Sequence, residues 1–413
     1  MKVGLLTWWR TTNYGAQLQA LATASYLREL GCETTLIDYQ QFAERVPTMA
    51  CPWTYLGFKG SYGTPLKKFI KGVVRLLFEP CVCGSLWRIH TTKVFTRQFL
   101  GFPSVRFQTY DDMVDRMDLP MVVVGSDQLW APHFMDQQGS YLLGRLPTRI
   151  ERISFATSLS AENFLFEGED FSELFRRALP LFKAVSVRER RLIPQLESFY
   201  GHDIFWSVDP TLCYDADGWN HLLRLGESHK KVTLKDHITI YWLSDIRPHF
   251  DAMLAFAREQ DKPVHLFTDH STLRIRANAT LSQVVAYLIM RVKLAFARNV
   301  TVFKAANARD FIEDLSTSSG VVSDSFHALM FSTVYKKTIK LVVPESRKSM
   351  RSRMEDFLKR VGWEGVIVPS FPKGVLSDPS ATVTGSRNTL NIWINESKEW
   401  LKNALYSEGV KRG

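Results

Sequence analysis

The chain opens on an alternation that leaves little choice of fold. Lys2 to Thr7 is a short apolar run, and Asn13-Tyr14-Gly15 carries a turn signal. Ala16 to Leu30 then sets Leu18, Leu21, Ala22, Tyr26 and Leu30 at helical spacing. Gly31 stops that helix, and Thr34 to Ile37 begins a second strand ending at Asp38. Strand, helix and strand in such close succession form a β-α-β unit. Its strands run parallel, and ligands of such sheets bind in a crevice at the carboxyl ends of the strands.

The alternation resumes twice. Met121 to Val124, Ile153 to Thr157, Ala184 to Val187 and Phe205 to Val208 read as strands, with helical stretches at Phe171 to Leu181 and Arg190 to Ser198. After a polar, mixed segment at 212–236, strands follow at Ile238 to Leu243, Val264 to Thr268, Thr301 to Phe303, Val321 to Ser323 and Ile339 to Val343. Helices are expected at His249 to Glu259, Asn307 to Ser316, Phe326 to Tyr335 and Met350 to Val361. The spacing predicts an α/β protein of two Rossmann-like domains facing a central cleft. The first spans 1–211 with an insert at about 42–106, and 212–236 is the junction. The second spans 237–380, and a final amphipathic helix covers 387–406. A length of 413 residues gives each half room for its own core.

Charge narrows the partners. The formal net charge is +10, and residues 59 to 106 hold nine Lys or Arg against a single acid, Glu79. Such a field favours anions: a phosphorylated donor, a polyanion or an anionic headgroup. A helix over Leu66 to Phe78 mixes Lys67, Lys68, Lys71 and Arg75 with large apolar residues, which suits a packed helix with a solvated face or a peripheral membrane contact through 66–78. No nucleic-acid motif accompanies the basic stretch, so no nucleic acid is expected as partner. Leu281 to Ala297 is strongly apolar, but Arg291 and Lys293 interrupt it, which fits a buried helix better than a membrane span. Met1-Lys2 runs straight into a strand, and the five cysteines lack zinc spacing. Both point to the cytoplasm, at most to the inner face of the membrane, and to no metal.

Chemistry gathers at strand ends. Ser323-Asp324-Ser325-Phe326-His327 passes from a buried strand to a helix start, where free N–H groups and the helix dipole favour an anion. His327 would stand there as proton donor or acceptor. Alone, the segment also fits a capped helix with a structural histidine. Val185-Ser186-Val187-Arg188-Glu189 brings an arginine to a strand tip, suited to phosphate or carboxylate, or else part of a surface charge cluster. Gly125-Ser126-Asp127-Gln128-Leu129-Trp130 presents Asp127 and Gln128 for sugar hydroxyls and Trp130 as a flat apolar face, or is a turn capped by Asp127. Asn13, Tyr14 and Gln17 hold the corresponding place after the first strand. Asp209-Pro210-Thr211 reads as a structural turn.

Taken in order, Asn13-Tyr14-Gly15-Ala16-Gln17-Leu18-Gln19, Gly125 to Trp130, Ser186 to Glu189, Asp209 to Thr211 and Ser323 to His327 resemble the polysaccharide pyruvyl transferase family. The resemblance implies a GT-B-like fold, phosphoenolpyruvate as co-substrate with no other cofactor, and a sugar of a cell-surface or exopolysaccharide, or its lipid-linked precursor, as acceptor. It implies His327 as the active-site histidine, Arg188 as a donor-binding arginine, and a basic residue downstream that Arg347, Lys348, Arg351 or Arg353 would supply. Ser323, Asp324 and Ser325 complete the donor side, with Lys348 and Arg353 as the favoured cations. Asn13, Tyr14, Gln17, Asp127 and Gln128 form the acceptor side. Many members carry arginine where this chain has Ser325. A nucleotide-sugar glycosyltransferase on the same fold and a basic membrane- or polyanion-binding protein are the rival readings.

Overall fold

The computed structural model describes residues 1–39, 85–226, 236–268, 281–303, 305–343, 348–363, 365–376 and 387–407. At 85–89, 281–285, 287, 288, 291 and 348–350 it describes the backbone alone. The expected helix at 66–78, Cys51, Cys81, Cys83, Arg347 and the Lys348 side chain lie outside the described residues.

The first sheet draws on β1 (Lys2–Leu6), β2 (Glu33–Asp38), β3 (Ser104–Arg106), β4 (Met121–Val124) and β5 (Glu151–Thr157). A small antiparallel hairpin of β6 (Leu165–Phe166) and β7 (Glu169–Asp170) stands apart, and β8 (Ala184–Val187) and β9 (Phe205–Trp206) complete the sheet. Its strands are all parallel, in the order β3-β2-β1-β4-β5-β8-β9. The second sheet holds β10 (Ile238–Trp242), β11 (Val264–Thr268), β12 (Val300–Phe303), β13 (Gly320–Ser323), β14 (Thr338–Val342) and β15 (Ile367–Val368). It too is parallel, in the order β12-β11-β10-β13-β14-β15. Both orders reverse direction once, between β1 and β4 and between β10 and β13. Loops leaving strands on the two sides of such a reversal diverge and open a crevice. The molecule is therefore two Rossmann-like domains in a GT-B-like arrangement, each with its switch point at a sequence motif named above.

The two halves share one apolar core. Val3, Leu5, Met121 and Val123 of the first sheet join Tyr241, Val321 and Leu341 of the second in a single buried cluster. Helix Tyr14–Glu29 supplies much of the seam. The Tyr14 ring stacks on Tyr241 and Phe311, at 5.6 and 5.5 Å between centroids, and its hydroxyl donates to the Ala306 carbonyl at 2.8 Å. The final helix, Arg387–Tyr406, leaves the second domain and returns to the first. Trp400 stacks on Phe155 and Phe205, Trp393 Nε1 donates to the Trp206 carbonyl at 2.7 Å, and the Ser397 hydroxyl accepts from Val208 N.

Several expectations need adjusting. The block at 42–106 ends inside the first sheet, since helix Ser85–Phe99 and strand β3 both belong to that domain. The segment at 212–236 holds a helix, Ala216–Leu223, anchored by the fully buried Trp219. Helix Leu281–Phe296 forms, but it is not a buried one: Ile289, Val292 and Phe296 stand 51%, 55% and 80% exposed. Among the described residues no helix is long and apolar enough to cross a membrane.

Candidate active site

Two helix N-termini meet at the cleft. Ser325 caps helix Phe326–Val334 by accepting from Ala328 N, and Asn13 caps helix Tyr14–Glu29 by accepting from Ala16 N at 3.2 Å. Gly15 brings them together. A Cβ at this position would lie 2.1 Å from Nδ1 of His327, so only a glycine lets the imidazole rest on the first helix. The first domain thus positions the histidine of the second.

Arg188 and Arg353 converge beside His327. Both guanidinium groups lie against the Phe326 ring, 4.5 and 5.3 Å from its centre. Arg188 donates through Nη1 to Asp209, and its Nε lies 3.7 Å from Glu189. Glu189 is held in turn by the Ser158 hydroxyl and by Leu159 N at 3.1 Å. Arg353 reaches across from helix Lys348–Val361 to Gln128, donating from Nη1 and Nη2 at 2.5 and 3.1 Å once the carboxamide oxygen is turned toward it. Asp209 accepts from the amide and hydroxyl of Thr211 and lies 3.8 Å from Nε2 of His327. Among the described residues, four buried nitrogens here have no hydrogen-bond partner: Nε and Nη2 of Arg188, Nε of Arg353 and Nε2 of His327. Orphaned donors are costly in a protein interior and rare in native folds.

Titration follows the geometry. Burial disfavours charge on His327, and Arg188 and Arg353 act in the same sense; Asp209 and Asp127 oppose them, yet the net effect lowers its pKa. Burial and then Arg188 bring Arg353 down to about 10. Burial works against Arg188 as well, but Asp209, Glu189 and Asp127 outweigh it and raise its pKa. Asp209 is lowered: burial acts upward, and Arg188, His327 and Thr211 prevail.

The structure sorts the sequence candidates. His327, Arg188, Arg353, Asp127 and Gln128 come together. Asp127, at a left-handed φ of 77°, lies buried within electrostatic reach of His327 and both arginines. Ser323, Asp324 and Ser325 adjoin the site but have local partners. Ser323 donates to the Tyr241 carbonyl and accepts from Ser325 N, and Asp324 accepts from Leu243 N and Ser244 N at 2.8 and 2.9 Å. Tyr14 is fully buried in the seam between domains. Gln17 is buried against Thr96, with Nε2 donating to its hydroxyl at 3.3 Å. Arg351 turns to Glu355 at 2.7 Å, so among the described downstream side chains Arg353 is the cation in the site. Trp130 is fully buried, its Nε1 donating to the Tyr141 carbonyl, and offers no face to a ligand. Arg188 and Glu189 are not a surface cluster; both are nearly inaccessible. Asp209, a turn residue by sequence, stands inside the site beside Arg188 and His327. The signal lay in a carboxylate set directly after an apolar strand end.

Among the described residues, one group of side chains has the makings of a metal site: His237, His265 and Asp314. It lies at the amino ends of β10 and β11, opposite the cleft. The Asp314 carboxylate there joins both imidazoles and the Thr239 hydroxyl in a buried network.

No curated protein matches the chain. Among solved structures it is similar to UDP-GlcNAc 2-epimerase from Methanocaldococcus jannaschii at 12% identity and TM-score 0.46, covering 99% of this chain and 100% of that one. It is also similar to UDP-GlcNAc 2-epimerase from Neisseria meningitidis bound to UDP-GlcNAc, at 10% identity and TM-score 0.45, covering 99% and 100%. A third similar structure is AviGT4, a glycosyltransferase involved in avilamycin A biosynthesis, at 12% identity and TM-score 0.40, covering 98% and 94%. The family profile of polysaccharide pyruvyl transferase matches residues 13–338, a span that begins at the Asn13 cap and encloses Arg188, Asp209 and His327. With that match over most of its length, the chain belongs to the polysaccharide pyruvyl transferase family.

Proposed function

We propose that the protein transfers the pyruvyl group of phosphoenolpyruvate to a sugar of a cell-surface or exopolysaccharide, or its lipid-linked precursor, as a cyclic ketal. The observation that carries this reading is the convergence, on Arg188, Arg353 and His327, of four buried nitrogens that make no hydrogen bond among the described residues. An anion with several acceptor oxygens satisfies them together, and phosphoenolpyruvate offers both a phosphate and a carboxylate. Two helix N-termini add to the same field.

The residues divide the work as follows. Arg188 and Arg353 clamp the donor. His327, kept neutral by burial, gains proton affinity when the anion enters, because negative charge arrives beside it. It then gives a proton to the methylene carbon, which makes the neighbouring carbon electrophilic. A sugar hydroxyl adds there and returns its proton to His327. The bond to phosphate oxygen breaks, a second hydroxyl of the same sugar closes the ketal, and its proton leaves with the phosphate. Asp127 and Gln128 face the acceptor.

The test is donor binding and phosphate release with His327→Asn and Arg353→Ala. Thermal shift should show phosphoenolpyruvate, and not UDP- or GDP-sugars, stabilising the wild type. Arg353→Ala should weaken donor binding at least about tenfold, the loss of one charged hydrogen-bonded contact. His327→Asn should retain binding and lose turnover. Phosphate release at wild-type rates in both variants sinks the assignment. Arg188→Ala is the poorer probe, since it strands Asp209 in the interior and costs about 3–5 kcal/mol of stability.

A further inference from the structure

Next to the donor clamp, on the first domain's side, lies a patch of rings that none of these steps uses. Trp8 follows Thr7, whose hydroxyl donates to the Ser126 carbonyl at 3.1 Å across the switch point between β1 and β4. The turn Pro132–Phe134 begins just after Gln128, which accepts from Ala131 N at 3.2 Å. Trp8 and Phe134 meet edge to face at 4.8 Å, His133 lies 4.1 Å from Phe134, and Phe166 of the β6–β7 hairpin stands 6.0 Å from His133. The Trp8 indole is fixed by donating to the Tyr141 hydroxyl at 2.9 Å. Unlike the fully buried Trp130, the rings of Trp8, His133 and Phe134 are half-buried, and Phe166 is exposed, at 37%. Burial, and after it the field of Arg353, lowers the pKa of His133.

Rings with a few polar groups, set beside an anion clamp in a switch-point crevice, suit a ligand with one apolar face and a hydroxylated edge. A pyranose has that form. The surroundings narrow the choice. Glu167, Glu169 and Asp170 are exposed on the hairpin next to Leu165 and Phe166, so the rim repels anionic polymers and anionic bilayers. We propose that Trp8, His133, Phe134 and Phe166 form the acceptor subsite and seat one pyranose of an uncharged glycan against their rings, with the hairpin Leu165–Asp170 as its rim. This deepens the transferase reading and rests on it: the sugar's hydroxyls then face Gln128 and the clamped donor.

Saturation-transfer NMR on the full chain tests the subsite without phosphoenolpyruvate. The probes are the methyl pyranosides of galactose, glucose, mannose and N-acetylglucosamine, each alone. At least one should receive saturation, strongest on the protons of a single ring face. Phe166→Ala, at an exposed position that tolerates truncation, and Trp8→Leu should each weaken that sugar's binding about fivefold, as loss of one ring contact implies. The thermal shift by phosphoenolpyruvate should be unchanged in both. No transfer to any of the four sugars, or transfer unaltered in both folded variants, overturns the subsite. Displacement of the sugar by uridine or guanosine nucleotide overturns it as well. Sugar contact retained by a protein that ignores phosphoenolpyruvate would instead remove the donor reading and leave the subsite in place.

Discussion

Gly15 is the residue on which His327 most directly depends. Within an exposed helix a change to alanine stabilises by about 1 kcal/mol, because glycine carries more backbone freedom to lose. Here the added methyl would overlap the imidazole at 2.1 Å. Overlap of this kind costs about 1–3 kcal/mol when the neighbour must move. Gly15→Ala is therefore expected to change stability little and to cut phosphate release by more than about tenfold, which a coupled phosphate assay reads. The glycine was legible in the sequence as a turn residue. Its contact with a histidine in the other domain was not, because no local pattern reports a partner so distant in the chain. His327 also sets a pH dependence. Its folded-state pKa lies below the ordinary 6.5 of the unfolded chain, so the unfolded chain takes up the proton first. Stability should fall as pH drops below that value. His327→Asn should show a smaller loss of melting temperature between pH 7.5 and 5.5 than the wild type; an equal loss would contradict the burial argument.

At the level of elements, the strands that carry the site read clearly from sequence. β4, β8 and β13 are short apolar runs buried in parallel sheets, each ended by a polar motif. The misreadings came where tertiary context decides. β3 and β15 hold three and two residues and gain their identity only from pairing at a sheet edge. Trp130 looked like a ligand platform because a tryptophan beyond a polar turn is ambiguous until its burial is known. Asp324 shows the same limit: the family resemblance implies a donor-side role, and the hydrogen bonds by which it ties the end of β13 to the loop after β10 are visible only in the structure. Asp324→Asn loses the charge and one of two acceptor oxygens facing Leu243 N and Ser244 N. Unfolding in denaturant should show a loss of about 1.5–3 kcal/mol, the range for hydrogen bonds to a charged group. An unchanged midpoint would mean that water replaces the carboxylate.

The whole molecule is bound together more tightly than a cleft between two domains suggests. The continuous core places Tyr14 and Phe311 at the seam, and Arg360 of the second domain lies over Trp206 and Trp393 at 4.5 and 4.2 Å on the far side. The halves should therefore unfold together, in one calorimetric transition with equal calorimetric and van't Hoff enthalpies. Two resolved transitions would show that the seam is weaker than its burial implies.

The returning helix has a consequence for how the protein is made. Phe155, Phe205 and Trp206 leave the ribosome long before Trp393 and Trp400, the residues that cover them. At roughly 5–20 residues per second, translation separates Trp206 from its cover by about 10–40 s. For that interval one face of the first sheet presents aromatic side chains to the cytosol of the producing cell. A nascent chain stalled before Arg387 should accordingly engage chaperones that a chain carrying the helix does not need.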